Sequence, residues 1–401
     1  MRRGCKNIDL RDYKTLLPWV WDCVKRHYKR YDFRDLLEEY GASRISYAQT
    51  CVDHDFSRFS EAVEKIAKEA ACRIVARDLQ LPPVRIRKQR DGSNGKVRDI
   101  GCEGAMQQVF DTIAVYAAAE IWHRRIVPHQ VSSIKGRGPL HGVKIIQRWI
   151  MEDNRAIRYA KAHGIPYVSQ CKHHTKNDIQ QCFPSAKLEV FMALFRRDCA
   201  NQDLLWLWET LLRSHRVEGY QGFMIGSLVS QWGMQYMLSF VYRYAMALAT
   251  ERRGKRIPMV THMLLFMDDM ELFGSNRKNL KSAVRNIIKF AKAKLGLTIK
   301  PNWHIKCLDD EPVDMMGYVL YRSGKLAIRS RIFIRGRRMI LRYHRKRTLT
   351  IEQARRLVSY KGFFKHSNSL AVCRKLQAEE AFEFAAGVVS RFDKEENYGT
   401  I

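Results

Sequence analysis

Acidic residues are scarce in this sequence. Its 401 residues include 41 Asp and Glu against 71 Lys and Arg, which gives a formal net charge of +30. Apolar residues make up 46% and aromatic residues 11% of the chain, and these shares exclude a disordered chain. A folded protein with so large a positive excess is expected to bind a polyanion, either nucleic acid or an anionic membrane surface. At about 150 residues per domain, the length predicts two or three domains.

Paired cysteines and a signal peptide are also absent. The ten cysteines include no C-x-x-C pair, and most lie in apolar stretches, as is typical of reduced thiols in an intracellular protein. Cys171, His173 and His174 lie close together, but no second Cys or His pair completes a zinc site, so we expect ordinary strand residues there. Charges recur every two or three residues at the N-terminus, which therefore lacks the apolar segment of a signal peptide.

One uncharged run is long enough to cross a bilayer. Residues 221–242 form 22 positions without a charged side chain. Nine of these 22 residues are Ser, Gln or Gly, which makes exposure to lipid costly. We therefore expect a buried loop and helix of a soluble protein, with no membrane partner, and nucleic acid becomes the favoured polyanion.

Apolar periodicity predicts the order of the elements in the first half of the chain. Spacings of three and four residues predict helices over 13–28, 56–79, 104–122 and 143–162. Alternation with period two on both sides of a D-G-S-N-G turn predicts a basic β-hairpin over 84–100. A strand over 166–178 is expected to end at Asp178, and Pro184 with Ser185 then marks the start of another helix.

The second half alternates buried and basic segments. A turn and a long buried helix are predicted over 225–249, and two short apolar strands are expected to meet at Asp268 and Asp269. A helix over 280–295, short strands around 299 and 315–320 and a basic helical C-terminal region follow.

The consecutive carboxylates Asp268 and Asp269 lie between the apolar runs LLFM and MELF. Two charges in a half-buried hairpin are costly unless a cation such as Mg²⁺ neutralises them. Phosphoryl transfer uses two hard cations about 3.5–4 Å apart, held by carboxylates from different elements, and Asp178 at its strand end supplies the second element. The alternative is that the pair consists of turn residues in an exposed hairpin.

The order of these pieces resembles a reverse transcriptase. Residues 266–269 (FMDD) resemble the Y-x-D-D box of that family, and residues 178–185, from Asp178-Ile179 to Phe183-Pro184-Ser185, resemble its first palm motif, D-I-x-x-x-F-P-S. Residues 96–100 are similar to the fingers segment K-x-R-x-I, and residues 132–142 are similar to the S-x-x-x-G-R-G loop that follows it. The resemblance covers roughly residues 84–369.

Three further motifs resemble the reverse transcriptases of diversity-generating retroelements. Most relatives carry Q-G-x-x-x-S-P where residues 225–231 read I-G-x-x-x-S-Q, the form of that subfamily. Residues 314–318 (DMMGY) are similar to its D-F-L-G-Y primer grip, and residues 359–366 resemble its thumb motif S-Y-x-G-x-x-x-H. Gln181-Cys182 precedes Phe183 where a second aromatic is usual, and Phe266 replaces the common Tyr, but neither departure removes a metal ligand.

The resemblance implies an α+β, right-hand polymerase fold with fingers, an antiparallel-sheet palm and an α-helical thumb. We assign an N-terminal helical extension to 1–80 and the fingers to 81–165. The palm is assigned to 166–320, with finger-derived helices over 186–215, and a basic thumb to 321–401. The span 322–347 contains 11 Lys or Arg and no acid, with apolar residues interspersed, so it can both pack and contact phosphates.

The resemblance also implies the site residues. Asp178, Asp268 and Asp269 are the implied catalytic residues and, with Ile179, the ligands of two Mg²⁺ ions, for which Mn²⁺ can substitute. The implied nucleotide-binding residues are Lys96, Arg98, Phe183, Ile225, Gly226 and Gln231. The implied template and primer contacts are Gly317, Tyr318, Arg329, Arg331, Arg335, Arg337 and Arg338. Alternatives stay open: a solvated hairpin for Lys96 and Arg98, core packing for Phe183 and a tight turn for Gly226.

The implied function is RNA-directed DNA synthesis that is error-prone at template adenines. The apolar Ile225, where relatives place Gln, removes hydrogen bonds that could hold nucleotide or template. Implied partners are deoxynucleoside triphosphates, a template-repeat RNA, its RNA/cDNA duplex and a small, basic, helical, oligomeric accessory variability protein. The implied location is the cytoplasm of a prokaryotic cell, with a phage or mobile element as a possible origin. Alternatives are a retron, group II intron-like or phage-defence reverse transcriptase, and a non-catalytic RNA-binding scaffold.

Overall fold

Antiparallel strand pairs and α-helices alternate along the chain. The computed structural model describes residues 3–90, 97–215 and 222–398, with side chains as far as residue 392. The chain divides into two compact units, one made of Met1–Pro128, Ile179–Arg243 and Ile287–Lys300, the other of His129–Asp178, Tyr244–Asn286 and Pro301–Ile401. All ladders between the named strands of the described residues are antiparallel, so the fold is mixed α and β with antiparallel sheets.

The first unit is mainly helical. Its helices are α1 (Tyr13–His27), α2 (Tyr31–Glu39), α3 (Arg44–Asp53), α4 (Ser60–Ala76), α5 (Ala105–Ala117), α6 (Ala119–Arg125), α8 (Leu188–Asp198), α9 (Gln202–Ser214) and α10 (Leu228–Ala247) as far as Arg243. A hairpin pairs β1 (Arg85–Arg90) with β2 (Val97–Cys102).

Aromatic side chains hold four of these helices together. Trp122 of α6, Phe195 of α8, Trp208 of α9 and Tyr236 of α10 pack with ring centroids 5.3 to 6.0 Å apart. All four are buried, and rings at these separations add to the free energy gained from their buried area. The uncharged run therefore becomes a buried helix because its aromatic and apolar residues complete this cluster.

The second unit is built on a four-stranded sheet. Its elements are α7 (Pro139–Ala162), β3 (His173–Asp178), β4 (Ala249–Arg252), β5 (Lys255–Pro258), β6 (His262–Phe266), β7 (Asp269–Gly274), α11 (Arg277–Phe290) as far as Asn286, β8 (Lys306–Cys307), β9 (Val313–Met315), β10 (Tyr318–Leu320), β11 (Leu326–Ile328), α12 (Ser330–Lys346), α13 (Ile351–Lys365), α14 (Leu370–Lys375) and α15 (Ala378–Tyr398). The strand order of the sheet is β6-β7-β3-β8, and β11-β10-β9 form a smaller sheet.

Two cores stabilise the second unit. In one, α7 places Ile146, Trp149 and Ile150 against Leu264 and Phe273 of the four-stranded sheet. In the other, the C-terminal helices bury a separate set of apolar side chains, which includes Ile340, Leu357, Phe364 and Phe382. The C-terminal helices therefore have a hydrophobic core of their own.

Most of the predicted elements are confirmed, with four corrections. The helix over 104–122 is two helices, because the chain breaks at Ala118 between α5 and α6. The strand over 166–178 begins only at His173. The strand around 299 is an isolated bridge between Ile179 and Ile299. The helices α2 and α3 and the β4–β5 hairpin were not predicted, and the polar strands of that hairpin lack apolar alternation.

The membrane and cysteine expectations have separate outcomes. No helix in the described ranges is both long and apolar enough to span a bilayer. None of the described cysteines takes part in a disulfide, as the reduced-thiol prediction expected. In the described residues no group of three or more His, Cys, Asp and Glu side chains is arranged to hold a metal ion, and Cys171, His173 and His174 do not form a zinc site. His173 and His174 are strand residues of β3, as predicted.

Candidate active site

The predicted carboxylates of the second unit meet at one end of its four-stranded sheet. Asp178 is the last residue of β3 and lies directly opposite Asp269, the first residue of β7. Phe266 pairs with Asp269 across the hairpin, so Met267 and Asp268 form a two-residue loop. The structure therefore brings Asp178, Asp268 and Asp269 to the same edge of the sheet, from two separate segments of the chain.

The hairpin is specified by a buried apolar pattern. Met263, Leu264 and Leu265 of β6 and Met270 and Leu272 of β7 are all buried. Met267 has a φ of +52°, a positive angle that a residue other than Gly rarely adopts. A side chain other than Gly at such an angle costs about 1–3 kcal/mol, and strain of this kind is concentrated at functional sites.

Charges alternate along one face of this sheet. Lys176 lies two residues before Asp178 on β3, and its Nζ is 2.9 Å from Asp269 Oδ2. The next acid on β7, Glu271, lies 2.7 Å from His174 Nδ1, and both side chains are buried. The His174 Nε2 is 2.9 Å from the backbone oxygen of Glu311.

The His174–Glu271 contact is a buried ion pair. Burial alone would lower the pKa of His174, but the hydrogen bond and charge of Glu271 outweigh it, so the pKa is raised. Both ring nitrogens face oxygen acceptors, which requires a proton on each. The positive imidazolium therefore offsets the charge of Glu271.

The sheet edge fits Mg²⁺ in its ligand chemistry. Two carboxylates face each other in register, and the Lys176 ammonium beside Asp269 offsets only part of their repulsion. Protein Mg²⁺ sites commonly use one or two carboxylates together with substrate phosphates, so three protein side chains are not needed in ligating geometry. Ile179, the further predicted ligand, belongs to the first unit and is buried.

The loop over 222–231 of the first unit is fastened to the basic hairpin. The backbone N–H of Gly101 in β2 donates to the oxygen of Ile225 at 2.8 Å. Gly226 has a φ of +109°, and a Cβ there would lie 2.8 Å from the oxygen of Gly101. Gly226 is therefore required by a tight turn against β2, which is the alternative stated for it above.

A buried polar network lies on the other side of this loop. Asp111 of α5 accepts with Oδ2 from the Ser227 hydroxyl at 3.0 Å and from the first two backbone amides of α10, Leu228 and Val229, at 3.1 and 3.2 Å. The Ser227 hydroxyl in turn accepts from the N–H of Ser230 at 3.3 Å. The free amides at the start of α10 are therefore satisfied from a different helix.

His215 continues the network. Its Nε2 is 2.9 Å from Glu103 Oε1, and its Nδ1 is 3.3 Å from the Ser230 hydroxyl. That hydroxyl accepts from the N–H of Met224 at 3.0 Å. Glu103, Asp111 and His215 were not among the predicted site residues. The available signal was a charged residue, Asp111, inside the uncharged apolar stretch of α5.

The remaining predicted nucleotide-binding residues belong to the first unit. Lys96 and the predicted turn over 91–95 lie outside the described residues. Arg98 is exposed on β2, opposite Gln89. Phe183 is half-buried, and its backbone oxygen accepts from Phe223 at 2.9 Å. Gln231 is half-buried in the first turn of α10.

The predicted primer grip is a tight turn in the second unit. Met316 and Gly317 join β9 to β10, and both have positive φ, as a type I′ turn requires. A Cβ on Gly317 would lie 2.6 Å from Phe363. Tyr318 is buried with its ring centroid 5.0 Å from that of Phe363.

An arginine stripe follows the side of α12 that lies opposite its buried residues, and all of its members are exposed except Arg335, which is half-buried. Its members are Arg331, Arg335, Arg338, Arg342 and Arg345, separated by steps of four and three residues. At about 100° per residue these positions lie opposite the buried Gly336, Ile340 and Tyr343. The sequence analysis named the first three, and the helix adds the last two. Arg337 is exposed beside the stripe, and Arg329 pairs with Asp314 at 2.6 Å.

Comparisons with known proteins give little sequence similarity. No protein-family model matches the chain, and no curated protein matches it. Among solved structures, a telomerase from Candida albicans, in complex with a TWJ fragment of telomeric RNA, is similar at 11% identity with a TM-score of 0.41. The match covers 77% of this chain and 55% of the telomerase chain. It is a weak structural likeness.

Proposed function

We propose that this protein is an RNA-directed DNA polymerase of a diversity-generating retroelement. The observation that carries the proposal is the pairing of Asp178 with Asp269, with Asp268 in the adjoining two-residue loop. The order of the polymerase motifs along the sequence is the second support. Together they favour a catalytic role for these carboxylates over a role as turn residues of an exposed hairpin.

The proposed chemistry is nucleotidyl transfer. Asp178 and Asp268 would hold two Mg²⁺ ions, with Asp269 and Ile179 assisting. The ions would lower the pKa of the primer 3′-hydroxyl and offset charge on the triphosphate. In this chain, Lys176 would pair with Asp269 until a cation replaces it, and the buried His174–Glu271 pair would hold β3 and β7 in register.

Residues of the first unit would bind the incoming nucleotide. Lys96 and Arg98 would bind its phosphates, since a guanidinium can donate two parallel hydrogen bonds to phosphate oxygens. Phe183 would exclude a ribose 2′-hydroxyl, and Ile225, Gly226 and Gln231 would lie against the nascent base pair. The apolar Ile225 would lower fidelity, with errors concentrated at template adenines.

The template and primer would be held through their backbones. Gly317 and Tyr318 would form the primer grip, and Arg329, Arg337 and the arginine stripe would contact phosphates. A-form duplexes are recognised mainly by shape and phosphate contacts, which suits an enzyme that copies any sequence. The proposed partners are a template-repeat RNA and a small basic accessory variability protein, and the proposed location is the cytoplasm of a prokaryotic cell.

The test is primer extension by the purified protein on an RNA template with Mg²⁺ and all four deoxynucleotides. Reactions run with and without the template-repeat RNA and the accessory protein, and the products are sequenced. The inactivating variant is Asp268→Ala with Asp269→Ala. A matched control is Asp309→Ala with Asp310→Ala, because these are also consecutive acids of the second unit and both are exposed.

Each outcome separates two candidates. The retroelement polymerase is supported if the wild type and the control make DNA and the inactivating variant makes none. The DNA must also carry its errors mainly opposite template adenines. Accurate DNA would point instead to a retron, group II intron-like or phage-defence enzyme. DNA made by the inactivating variant would refute the assigned carboxylates. No DNA under any combination would favour a non-catalytic RNA-binding scaffold.

A further inference from the structure

The outer face of α7 in the second unit carries a row of cations. Its members recur at steps of four, seven and three residues and are all exposed: Lys144, Arg148, Arg155 and Arg158. At about 100° per residue they lie opposite Ile146 and Ile150, which are buried against the four-stranded sheet. Within the described ranges none of the four forms an ion pair with an acid. Between residues 144 and 168 the only exposed acid is Glu152, because Asp153 is buried.

Large apolar side chains are exposed beside these cations. The described residues include sixteen exposed side chains of this kind, and five of them fall within 151–168: Met151, Tyr159, Ile165, Tyr167 and Val168. Tyr159 is 60% exposed and lies one helical turn after Arg155, on the same side of α7. Single exposed apolar residues need no explanation, but a group of them beside unpaired cations indicates an interaction site.

Asp153 fastens the segment after α7 to the helix. Its buried carboxylate accepts from the hydroxyls of Tyr167 at 3.0 Å and Ser169 at 2.7 Å, and from the N–H of Gln170 at 2.7 Å. Arg322, which follows β10, adds an ion pair with Asp153 at 2.8 Å. The hydroxyl end of Tyr167 is therefore fixed on α7, while the residue stays 39% exposed.

Tyr159 is held by a different contact. Its ring stacks on that of His163 with the ring centroids 4.1 Å apart, and His163 Nδ1 is 2.8 Å from the backbone oxygen of Tyr159. A ring that is already held loses little conformational freedom when a further flat group stacks on it. This side of the second unit therefore presents two tyrosine rings that are ordered before a ligand binds.

The arrangement does not suit a membrane surface. A helix that lies on a membrane inserts an apolar face opposite its cations. In α7 that apolar face is already occupied, because Trp149 and Ile150 pack against the four-stranded sheet. A merely solvated face is the other alternative, and α11 shows what it looks like: within 277–290 five cations are exposed, but no large apolar side chain is.

Single-stranded RNA fits this chemistry. Proteins that bind single strands combine cations along the strand with aromatic rings on which bases stack, whatever the base. The bases of a duplex stack on one another, so only an unpaired strand offers its base faces to tyrosine rings. The row of cations extends over about 21 Å from Lys144 to Arg158, which is long enough to follow several phosphates.

We propose that the four cations of α7, together with Tyr159 and Tyr167, form a binding surface for single-stranded RNA, the α7 surface. Bases would stack on the two rings, and phosphates would lie against the cations. The proposal rests on the polymerase function above, because that function supplies an RNA of which only part is paired with cDNA at any moment. The arginine stripe of α12 would then hold the duplex, and the α7 surface the unpaired strand.

The test measures how tightly the full-length protein binds an oligouridylate of about 12 nucleotides, which is within the range of single-strand sites. Affinity is measured by fluorescence anisotropy over a series of KCl concentrations. Two variants each remove a ring, Tyr159→Ala and Tyr167→Ala, and two others restore it, Tyr159→Phe and Tyr167→Phe. A fifth variant has the four cations of the α7 surface changed to Gln.

Matched controls lie on other surfaces. Tyr31→Ala removes a tyrosine that is 67% exposed and has the guanidinium of Arg34 5.3 Å from its ring, but that arginine pairs with Asp35. The charge control changes four exposed cations of α11 to Gln, which are Lys278, Lys281, Arg285 and Lys289. A blunt RNA/DNA hybrid is the duplex ligand, and urea unfolding checks the fold of each variant.

The inference predicts a distinct result for each variant. Tyr159→Ala and Tyr167→Ala should each weaken binding of the oligouridylate at least about fivefold, whereas the Phe variants and Tyr31→Ala should bind it as the wild type does. Changing the four cations should lower the slope of log K against log salt concentration by about 2.8, since each phosphate contact on a single strand contributes about 0.7. Affinity for the hybrid should fall no further than it does in the α11 control.

Several results would overturn the inference. One is unchanged affinity for the oligouridylate after both Ala substitutions, and another is an equal fall in salt slope for the α7 and α11 variants. Tighter binding of oligothymidylate than of oligouridylate, lost in Tyr159→Ala, would assign the surface to DNA instead. Binding to vesicles of phosphatidylserine and phosphatidylcholine that Tyr159→Ala abolishes would make it a membrane site.

The α7 surface and the polymerase function can fail separately. DNA synthesis by a protein whose Ala variants bind the oligouridylate normally leaves the polymerase function standing and removes the α7 surface. The expected loss of binding in a protein that makes no DNA keeps the surface as an RNA site and refutes the polymerase function.

Discussion

Replacing the arginine stripe should change how strongly salt weakens nucleic-acid binding. The five side chains extend along about 21 Å of the helix face opposite the buried side of α12, and four of them are exposed while Arg335 is half-buried. Each phosphate that a cation neutralises contributes about 0.9 to the slope of log K against log salt concentration on duplex nucleic acid. If all five contact phosphates, changing them together to Gln lowers that slope by about 4.5. Between about 100 and 300 mM KCl the wild type should then lose about a hundredfold more affinity than the variant.

Fluorescence anisotropy on an RNA/DNA hybrid, repeated over a series of KCl concentrations, measures both slopes. The matched control converts five exposed cations of α11 to Gln, which gives the same change in net charge on another helix. These cations are Arg277, Lys278, Lys281, Arg285 and Lys289. Equal slopes for the wild type and the stripe variant, or an equal fall for stripe and control variants, would refute a phosphate-binding role specific to α12.

Two other substitutions test the sheet edge and the C-terminal helices. Lys176→Met removes an ammonium that lies 2.9 Å from Asp269 Oδ2 in a half-exposed pair. Such pairs contribute about 0.2–1 kcal/mol, so the variant should bind Mg²⁺ about 1.5- to 5-fold more tightly than the wild type. The affinity is measured from the Mg²⁺ dependence of Tm. Weaker binding by the variant would contradict the assignment of Asp269 as a metal ligand. Gly336→Ala places a Cβ 2.6 Å from Phe364 Cε2 and should destabilise the protein by about 1–3 kcal/mol in urea unfolding. In the control Gly387→Ala, the added Cβ in α15 has no atom within 4 Å, so this substitution should stabilise the protein by about 0.5–1 kcal/mol. If both substitutions changed the free energy of unfolding in the same direction, the packing argument would be contradicted.

Local patterns predicted the β6–β7 hairpin well. The apolar runs on both sides of Asp268 and Asp269 can be buried if each forms a short strand. The structure has the strands β6 and β7 at these positions. Pro184 and Ser185 marked a helix start, and α8 begins three residues later at Leu188. The hairpin follows from sequence because its cause, the run of apolar residues on each side, lies within a few residues, whereas the N-cap of α8 is Lys187 and neither Pro184 nor Ser185 caps that helix.

The buried network could not be predicted in the same way. The contacts of Asp111 with the Ser227 hydroxyl and of Glu103 with His215 join residues more than 100 positions apart. Apolar spacing says which face of α5 is buried, but it does not say which polar group meets Asp111 there. The β4–β5 hairpin was missed for a different reason, because its mostly exposed, charged residues leave no apolar pattern.

The pairing of β3 with β7 has a consequence for the order of synthesis. Asp178 leaves the ribosome roughly 90 residues before Asp269, which at 5–20 residues per second is a delay of about 5–20 s. During that interval β3 lacks its partner strand and exposes backbone groups that other chains can pair with. A nascent chain stopped before residue 269 is therefore expected to need a chaperone, whereas one that has released β7 can bury β3 at once.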